Sequence, residues 1–382
     1  MFGRQDLPKA RRVIVKVGTS ILTHGTGKLN LEQMEKLVRQ LADLSNRGHQ
    51  VILVTSGAVG AGMGRLGLEK RPKSVPEKQA CAAVGQGILM HMYEKLFAEY
   101  GLVVAQVLLT RDDFAFRERY INAGNTLEAL LRMNVIPIIN ENDTVAIDEI
   151  RLRFGDNDTL SALVAGLVRG DLLILLTDID GLYSANPRVD PTAVFIPEVA
   201  EITPEIEAMA AGAGTNLGTG GMATKLQAAK IAVESGVAMV IARGSRPNAL
   251  REIMNGAEVG TLFVPNETPL PGYKRWLAFG SASSGRIHID AGAAEAIVSG
   301  GKSLLPCGIT GAEGEFQSGD MVSIISPDGL EVARGVTQYS ADQVRRIMGK
   351  QCQDIEAVLG VKGVDEVVHR DNLTVMVSRH IG

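Results

Sequence analysis

The sequence predicts a three-layer αβα sandwich built on a mainly parallel sheet, followed by a smaller β-rich domain. Three observations carry this. The 382 residues exceed what one hydrophobic core usually organises, so two domains are expected. Over residues 10–260 short, almost continuously apolar runs alternate with longer amphipathic stretches, the pattern of strands covered on both faces by crossover helices. Near residue 261 the pattern changes to short β-like pieces separated by glycine turns.

In chain order, residues 13–17, 51–55, 103–108, 135–140, 172–177 and 238–242 read as buried strands. Between the first two, Leu31, Met34, Leu37, Val38, Leu41 and Leu44 recur at helical spacing, with Gly48 as the stop signal. Residues 79–98, 126–133, 159–168 and 223–234 read as helices in the same way. Residues 1–262 form the expected first domain. The linker is placed at 263–280, which contains Pro265, Pro269, Pro271, Gly272 and the sole tryptophan, Trp276. The second domain is expected over 281–382, with β-like pieces at 304–308, 319–324 and 331–335.

Composition excludes several classes. Apolar residues make up 45 % and charged residues 21 %, as in ordinary globular proteins. Residues 1–12 are charged and lack the apolar core of a secretory signal, and no apolar run approaches the ~20 residues of a membrane helix. A cytoplasmic location without membrane attachment is the expectation. Cys81, Cys307 and Cys352 are far apart, which argues against a zinc site or disulfide framework. A net charge of −4 gives no general attraction to nucleic acid.

The chemically suggestive residues stand where predicted strands end or where the following helices begin, the edge at which open α/β sheets bind ligands. Lys16 interrupts the first apolar run and precedes Gly18, Thr19 and Ser20. A lysine in a buried strand is costly unless its ammonium meets an anion; the plainer reading is an edge lysine reaching water. The second strand runs into Thr55, Ser56, Gly57 and Ala58, a glycine-rich turn that exposes backbone N–H groups or simply packs tightly. Asn140 to Asp143 follow the fourth strand, either as a helix-capping turn or as polar recognition groups. Asp156, Asn157 and Asp158 then open a helix, and capping accounts for only one of them. Thr177 and Asp178 end the fifth strand, where an Asx-type turn is the simpler alternative. Finally Thr219, Gly220, Gly221, Met222, Ala223, Thr224 and Lys225 place glycines and a lysine at a helix start. That combination binds phosphate by a known mechanism, against the alternative of a flexible surface loop.

Taken together, Lys16 with its Gly18-Thr19-Ser20, the Thr55 to Ala58 turn, Thr177-Asp178 and the Gly220 to Lys225 segment resemble the amino acid kinase family. Arg119 to Ala123, Asn140 to Asp143 and Gly155 to Asp158 resemble its members that phosphorylate the γ-carboxyl of free L-glutamate. The C-terminal part resembles a PUA domain. The resemblance implies that Lys16, Lys225 and Asp158 are catalytic, the lysines on the transferring phosphoryl group and Asp158 holding them in place. It implies that Ser56, Asp143 and Asn157 bind glutamate. Thr177, Asp178, Thr219, Gly220, Gly221, Met222, Ala223, Thr224 and both lysines would bind ATP, accompanied by Mg²⁺ with no dedicated protein ligands. It further implies inhibition by proline, a homo-oligomer (dimer or tetramer), and handover of an acyl phosphate to glutamyl phosphate reductase.

The chemistry agrees with that expectation. A carboxylate acceptor with a pKa of ~4.3 is already an ionised nucleophile at neutral pH and requires no general base. What it requires is relief from repulsion by the γ-phosphate, which lysines and N–H-rich loops supply. Kinases of the same family acting on N-acetylglutamate, aspartate or a nucleoside monophosphate remain alternatives, because they share the phosphate-binding parts. An RNA-binding role through the PUA-like part is a further alternative. It is disfavoured by nine Lys and Arg against thirteen Asp and Glu over residues 281–382.

Overall fold

A computed structural model describes residues 2–146, 157–187, 189–211, 221–267, 272–280, 283–360 and 363–376. The chain divides into two compact units, Met1–Asp113 with Glu118–Leu270, and Phe114–Arg117 with Pro271–Gly382. No described helix is long and apolar enough to cross a membrane.

Up to residue 270 the strands are β1 (Arg12–Val17), β2 (Gln50–Val54), β3 (Val104–Leu109), β4 (Ile136–Glu141), β5 (Leu172–Thr177), β6 (Leu182–Tyr183), β7 (Phe195–Ile196), β8 (Glu198–Val199), β9 (Ala238–Arg243) and β10 (Thr261–Phe263). The helices are α1 (Thr19–Leu22), α2 (Leu31–Asn46), α3 (Ala58–Leu66), α4 (Val75–Ala98), α5 (Arg111–Ala115), α6 (Arg117–Arg132), α7 (Asn157–Leu167), α8 (Pro204–Ala211), α9 (Met222–Glu234) and α10 (Ala249–Met254). Eight strands form one sheet in the order β3-β4-β2-β1-β5-β9-β10-β8, and β6 pairs with β7 in a separate ribbon. All pairings in the large sheet are parallel except β9 with β10.

The alternation of side chains along the strands separates two faces. Val13, Val15, Val17, Val51 and Leu53 share a core with Met34 and Leu41 of α2, Leu89 and Phe97 of α4, and Leu250 and Ile253 of α10. Ile14, Ile52, Leu173 and Leu175, one residue out of step, are equally buried, and α7 packs against β1, β2, β4, β5 and α9. The result is three layers, as the apolar runs require. The expected strands differ from the observed ones by at most one residue at an end, and β5 coincides. The helix expected from 79 begins earlier, at Val75, because the Ser74 hydroxyl accepts from the Glu77 N–H and Pro76 fits a first turn.

The sheet order reverses at β1: the chain goes first to β2 on one side and later to β5 on the other. Register places Lys16 beside Val54 of β2 and Leu175 of β5. The residues just past those partners, Ser56 and Thr177, therefore emerge with Lys16 at the same edge of the sheet. A ligand crevice belongs at such a switch point.

Of the elements not foreseen, among them α1, α5, α8 and α10, the one that bears most on the site is α3. The glycine-rich stretch after Gly57 is the helix α3, pressed against α4 at backbone distance. A Cβ on Gly85 would lie 1.8 Å from the Ala58 carbonyl oxygen, and one on Gly62 1.8 Å from that of Cys81. This contact fixes the start of α3 and with it the turn carrying Ser56. Gly85→Ala is expected to force the two helices apart and cost about 1–3 kcal/mol. Urea unfolding measures it; an unchanged midpoint and slope would contradict the close contact.

The second unit has its own five-stranded sheet and core. β11 (Gly285–Ile289), β12 (Ile309–Gly314), β13 (Met321–Ile325), β14 (Glu331–Thr337) and β15 (Val368–Val375) are ordered β12-β11-β13-β14-β15. Ile287, Ile297, Phe316, Ile324, Val344 and Val368 fill its centre. Of the expected β-like pieces, 304–308 is instead a single bridge, Leu304 with Val368, followed by a 3-10 turn at Pro306–Gly308; Pro306 lacks the N–H a strand needs. Within the stretch read as a linker, Gly272–Arg275 and Trp276–Gly280 are helical. Trp276 and Leu277 are buried there, 8 % and 0 % exposed.

Candidate active site

The loops and helix starts at the carboxyl edge of β1, β2, β4 and β5 surround a cleft of about 1810 Å³. At its floor two lysines meet one aspartate. Lys16 extends from β1, Lys225 from the first turn of α9, and Asp158 from the first turn of α7. Lys16 Nζ lies 2.6 Å from Asp158 Oδ1, and Lys225 Nζ lies 3.0 Å from Oδ2. Lys16, Lys225 and Asp158 are 6 %, 5 % and 0 % exposed, while both lysines also form part of the cleft wall. The carboxylate therefore sits behind the ammonium groups and spaces them. Burial alone would push the Asp158 carboxyl up, but Lys16 and then Lys225 outweigh it, so its pKa falls below the ordinary 3.8. The plainer reading of Lys16, an edge lysine reaching water, does not hold: β1 lies inside the sheet and the ammonium is buried against Asp158.

Asn157, next to Asp158, turns the other way. Its Nδ2 donates to the Thr55 carbonyl at 2.7 Å, to Ser56 Oγ at 2.8 Å and to Asn140 Oδ1 at 2.9 Å. The ends of β2 and β4 are thus joined through one amide, and Ser56, Asn140 and Asn157 all reach the cleft. Gly57 has φ 99°, a conformation open to glycine, and lets the chain turn directly from Ser56 into α3. Neither α3 nor α9 has a side-chain cap at its start. Their first N–H groups, at Ala58 and Met222, lie on the cleft wall and favour anionic ligands there. Asp143 follows β4 in a turn and lines the same cleft with Arg111 and Arg119.

On the β5 side, Thr177 Oγ1 donates to Asp178 Oδ1 at 3.1 Å, and both residues line the cleft with Tyr183, Asn186 and Pro187. Gly221 and Met222 line it as well. Ala223 and Thr224 belong to the first turn of α9 but not to the cleft wall, and the Thr224 hydroxyl donates back to the Gly221 carbonyl at 2.8 Å. Thr219 and Gly220 lie outside the described residues, as do Gly155 and Asp156.

The structure therefore brings Lys16, Ser56, Asp143, Asn157, Thr177, Asp178, Gly221, Met222 and Lys225 to one cleft, with Asp158 beneath it. Sequence reasoning missed the groups behind that wall. Asn140, read in sequence as part of a helix-capping turn or of a polar recognition segment, is 2 % exposed, and its Nδ2 donates to Gln86 Oε1, a group behind the wall, at 2.8 Å. Thr55 Oγ1 shares a 2.9 Å hydrogen bond with the Tyr93 hydroxyl. Burial of that phenol pushes its pKa well above 10, so it stays neutral and available as a hydrogen-bonding group. Gln86 and Tyr93 both lie on α4, and the sequence around them carries no signal beyond helical periodicity.

Chemically, the cleft offers two fixed positive charges, N–H groups from two helix starts, and a neighbouring set of amide and hydroxyl groups. That is an arrangement for polyanion transfer to a small polar acceptor.

A family model described as "Amino acid kinase family" matches residues 11–243, and one described as "PUA domain" matches residues 285–359. Among curated relatives, a glutamate 5-kinase of Moorella thermoacetica is 58 % identical over 373 residues, covering 98 % of each chain. A glutamate 5-kinase of Caldanaerobacter subterraneus is 56 % identical, covering 96 % of this chain and 98 % of its own. Another, from Carboxydothermus hydrogenoformans, is 55 % identical, covering 98 % of this chain and 100 % of its own. Among solved structures, an isopentenyl phosphate kinase product complex of T. acidophilum aligns with a TM-score of 0.48 at 18 % identity, covering 66 % of this chain and 99 % of that one.

Proposed function

The chain belongs to the amino acid kinase family, and on that premise we infer that it transfers the γ-phosphoryl group of ATP to the γ-carboxylate of L-glutamate. The product is L-glutamyl 5-phosphate, and the reaction is the first step of proline biosynthesis. The observation that carries this reading is the Lys16–Asp158–Lys225 cluster at the cleft floor beside the Asn157–Ser56 pair. Relatives at 50–58 % identity over nearly the whole chain bear the same activity in their names.

In this reading Lys16 and Lys225 face the phosphoryl oxygens, where they offset the repulsion between an anionic acceptor and an anionic donor. Asp158 keeps the two ammonium groups at fixed separation before ATP arrives, so little reorganisation is left for the transfer itself. Thr177, Asp178 and residues 219–225 hold the nucleotide. Both Asp158 oxygens already face ammonium groups and are not available to Mg²⁺; the ion would enter with ATP, held mainly by its phosphates and water.

Ser56 and Asn157 supply polar groups for the acceptor. Asp143 pairs with its α-ammonium, which would select a free amino acid over an N-acylated one. Asp143→Ala is accordingly expected to raise the KM for glutamate about 10–100-fold with kcat little changed. Steady-state kinetics would contradict this by showing the reverse split.

The acceptor itself is tested by ATP-dependent hydroxamate formation, in which hydroxylamine traps an acyl phosphate. Signal with glutamate, and none with aspartate or N-acetylglutamate, is the expected result. Signal confined to another acceptor would overturn the reading of Asp143 and Asn157.

Feedback inhibition by proline, assembly as a dimer or tetramer, a cytoplasmic location, and handover of the labile product to glutamyl phosphate reductase belong to the same proposal. A rate indifferent to added proline, or sedimentation showing only monomer, would contradict the first two. The PUA domain is proposed to modulate the kinase or its assembly. Unchanged kinetics, assembly and regulation after its deletion would count against that role.

A further inference from the structure

Gln86 and Tyr93 stand seven residues apart on α4, two turns along one face of the helix. Each grips the end of a different strand. Tyr93 holds Thr55 past β2, and Gln86 holds Asn140 in β4. Thr55 and Asn140 are in turn two of the acceptors of the Asn157 amide, through the Thr55 carbonyl and Asn140 Oδ1. One helix thus spans both arms of the frame around Asn157.

The amide orientations along this frame follow from donor and acceptor chemistry. A backbone carbonyl only accepts, so the Asn157 atom facing Thr55 is its nitrogen. Asn140 Oδ1 receives that nitrogen and also the Glu141 N–H at 2.9 Å, so both neighbours on that side are donors. Asn140 Nδ2 must then face Gln86, and Gln86 must present its oxygen. Its own Nε2 is left buried with no hydrogen-bond partner among the described residues. An unpaired buried amide nitrogen opposes folding, and here it follows from the need for an acceptor opposite Asn140.

We propose that Gln86 is a positioning residue for the amino-acid substrate: by holding Asn140 it sets the orientation of Asn157, and so aims the Asn157 and Ser56 polar groups at the acceptor. The proposal rests on the reading of Asn157 and Ser56 as acceptor-binding groups. It extends the binding machinery from the cleft wall to a helix behind it.

The test uses the full chain and compares Gln86→Met, which keeps the shape without the acceptor oxygen, with Gln86→Glu, which keeps an oxygen facing Asn140. Gln86→Met is expected to raise the KM for glutamate about tenfold, because a buried donor loses its partner, while the KM for ATP stays unchanged. Gln86→Glu is expected to return the glutamate KM to within about threefold of wild type. Leu89→Val, a packing loss on the same helix, should lower the melting temperature without moving either KM. Gln86→Leu is expected to give the same split and serves if the methionine variant does not fold. A glutamate KM within about twofold of wild type in a folded variant lacking the acceptor would overturn the proposal. So would an ATP KM rising in step, or no recovery with glutamate at position 86. A wild-type chain that turns over no glutamate would instead bring down the reading of the substrate, and this inference with it.

Discussion

Lys16→Ala is expected to lower kcat about 10²–10³-fold while moving the KM values for ATP and glutamate far less. The magnitude is that of removing one preorganised charge-stabilising group from a water-poor site. Its basis is the position of the ammonium: inside the sheet, at the switch point, buried on Asp158 yet part of the cleft wall. A group of that kind is bound to act on charge that develops during transfer, and such groups appear in kcat. Steady-state kinetics at saturating substrates decides it. A variant with wild-type kcat and a raised KM for ATP would assign Lys16 to ground-state nucleotide binding instead.

The second large effect concerns Asp158. Asp158→Asn removes the negative charge shared by two buried ammonium groups, and breaking a buried ion cluster of this kind typically costs about 3–5 kcal/mol. Activity is expected to fall with stability, because the lysines lose the anion that spaces them.

The pH dependence follows from the same cluster. The folded pKa of Asp158 lies below the ordinary 3.8, so its contribution to stability is fully present above that value and is lost as pH falls through the folded one. The wild-type melting temperature should therefore drop more steeply with acidification below about pH 4 than that of the Asn variant, which has no proton to take up there. Parallel acid limbs for the two proteins would mean that the carboxylate is not held ionised by Lys16 and Lys225.

The parts of the site that the sequence disclosed are those that break a local rule. A lysine in a run of Val and Ile, three polar residues where a helix start needs one, and glycines leading to a lysine at a helix N-terminus are each locally anomalous. Each was referred to ligand chemistry for that reason. Gln86 and Tyr93 break no rule. They sit in an ordinary helix, and their partners are 54 and 38 residues away in sequence, so only the folded sheet reveals them.

The fold shows the same division. The parallel strands were legible because burial on both faces makes them continuously apolar. Helix α3 was not, since Gly57, Gly60 and Gly62 read as a glycine-rich turn. One requirement behind those glycines, the backbone contact of Gly62 with α4, is tertiary and has no local signature.

In the proposed reaction the cleft joins phosphorus to a side-chain carboxylate oxygen of glutamate. The most direct measurement uses glutamate labelled with ¹⁸O in its γ-carboxyl group, with ATP, Mg²⁺ and hydroxylamine. Attack on the acyl carbon releases phosphate that keeps the bridging oxygen, so mass spectrometry of the phosphate reads out where the bond formed. One ¹⁸O atom per phosphate released in step with hydroxamate is the expected result. Phosphate released in the presence of glutamate without the label would mean that water, not the carboxylate, accepts the phosphoryl group, and would contradict phosphorylation of glutamate.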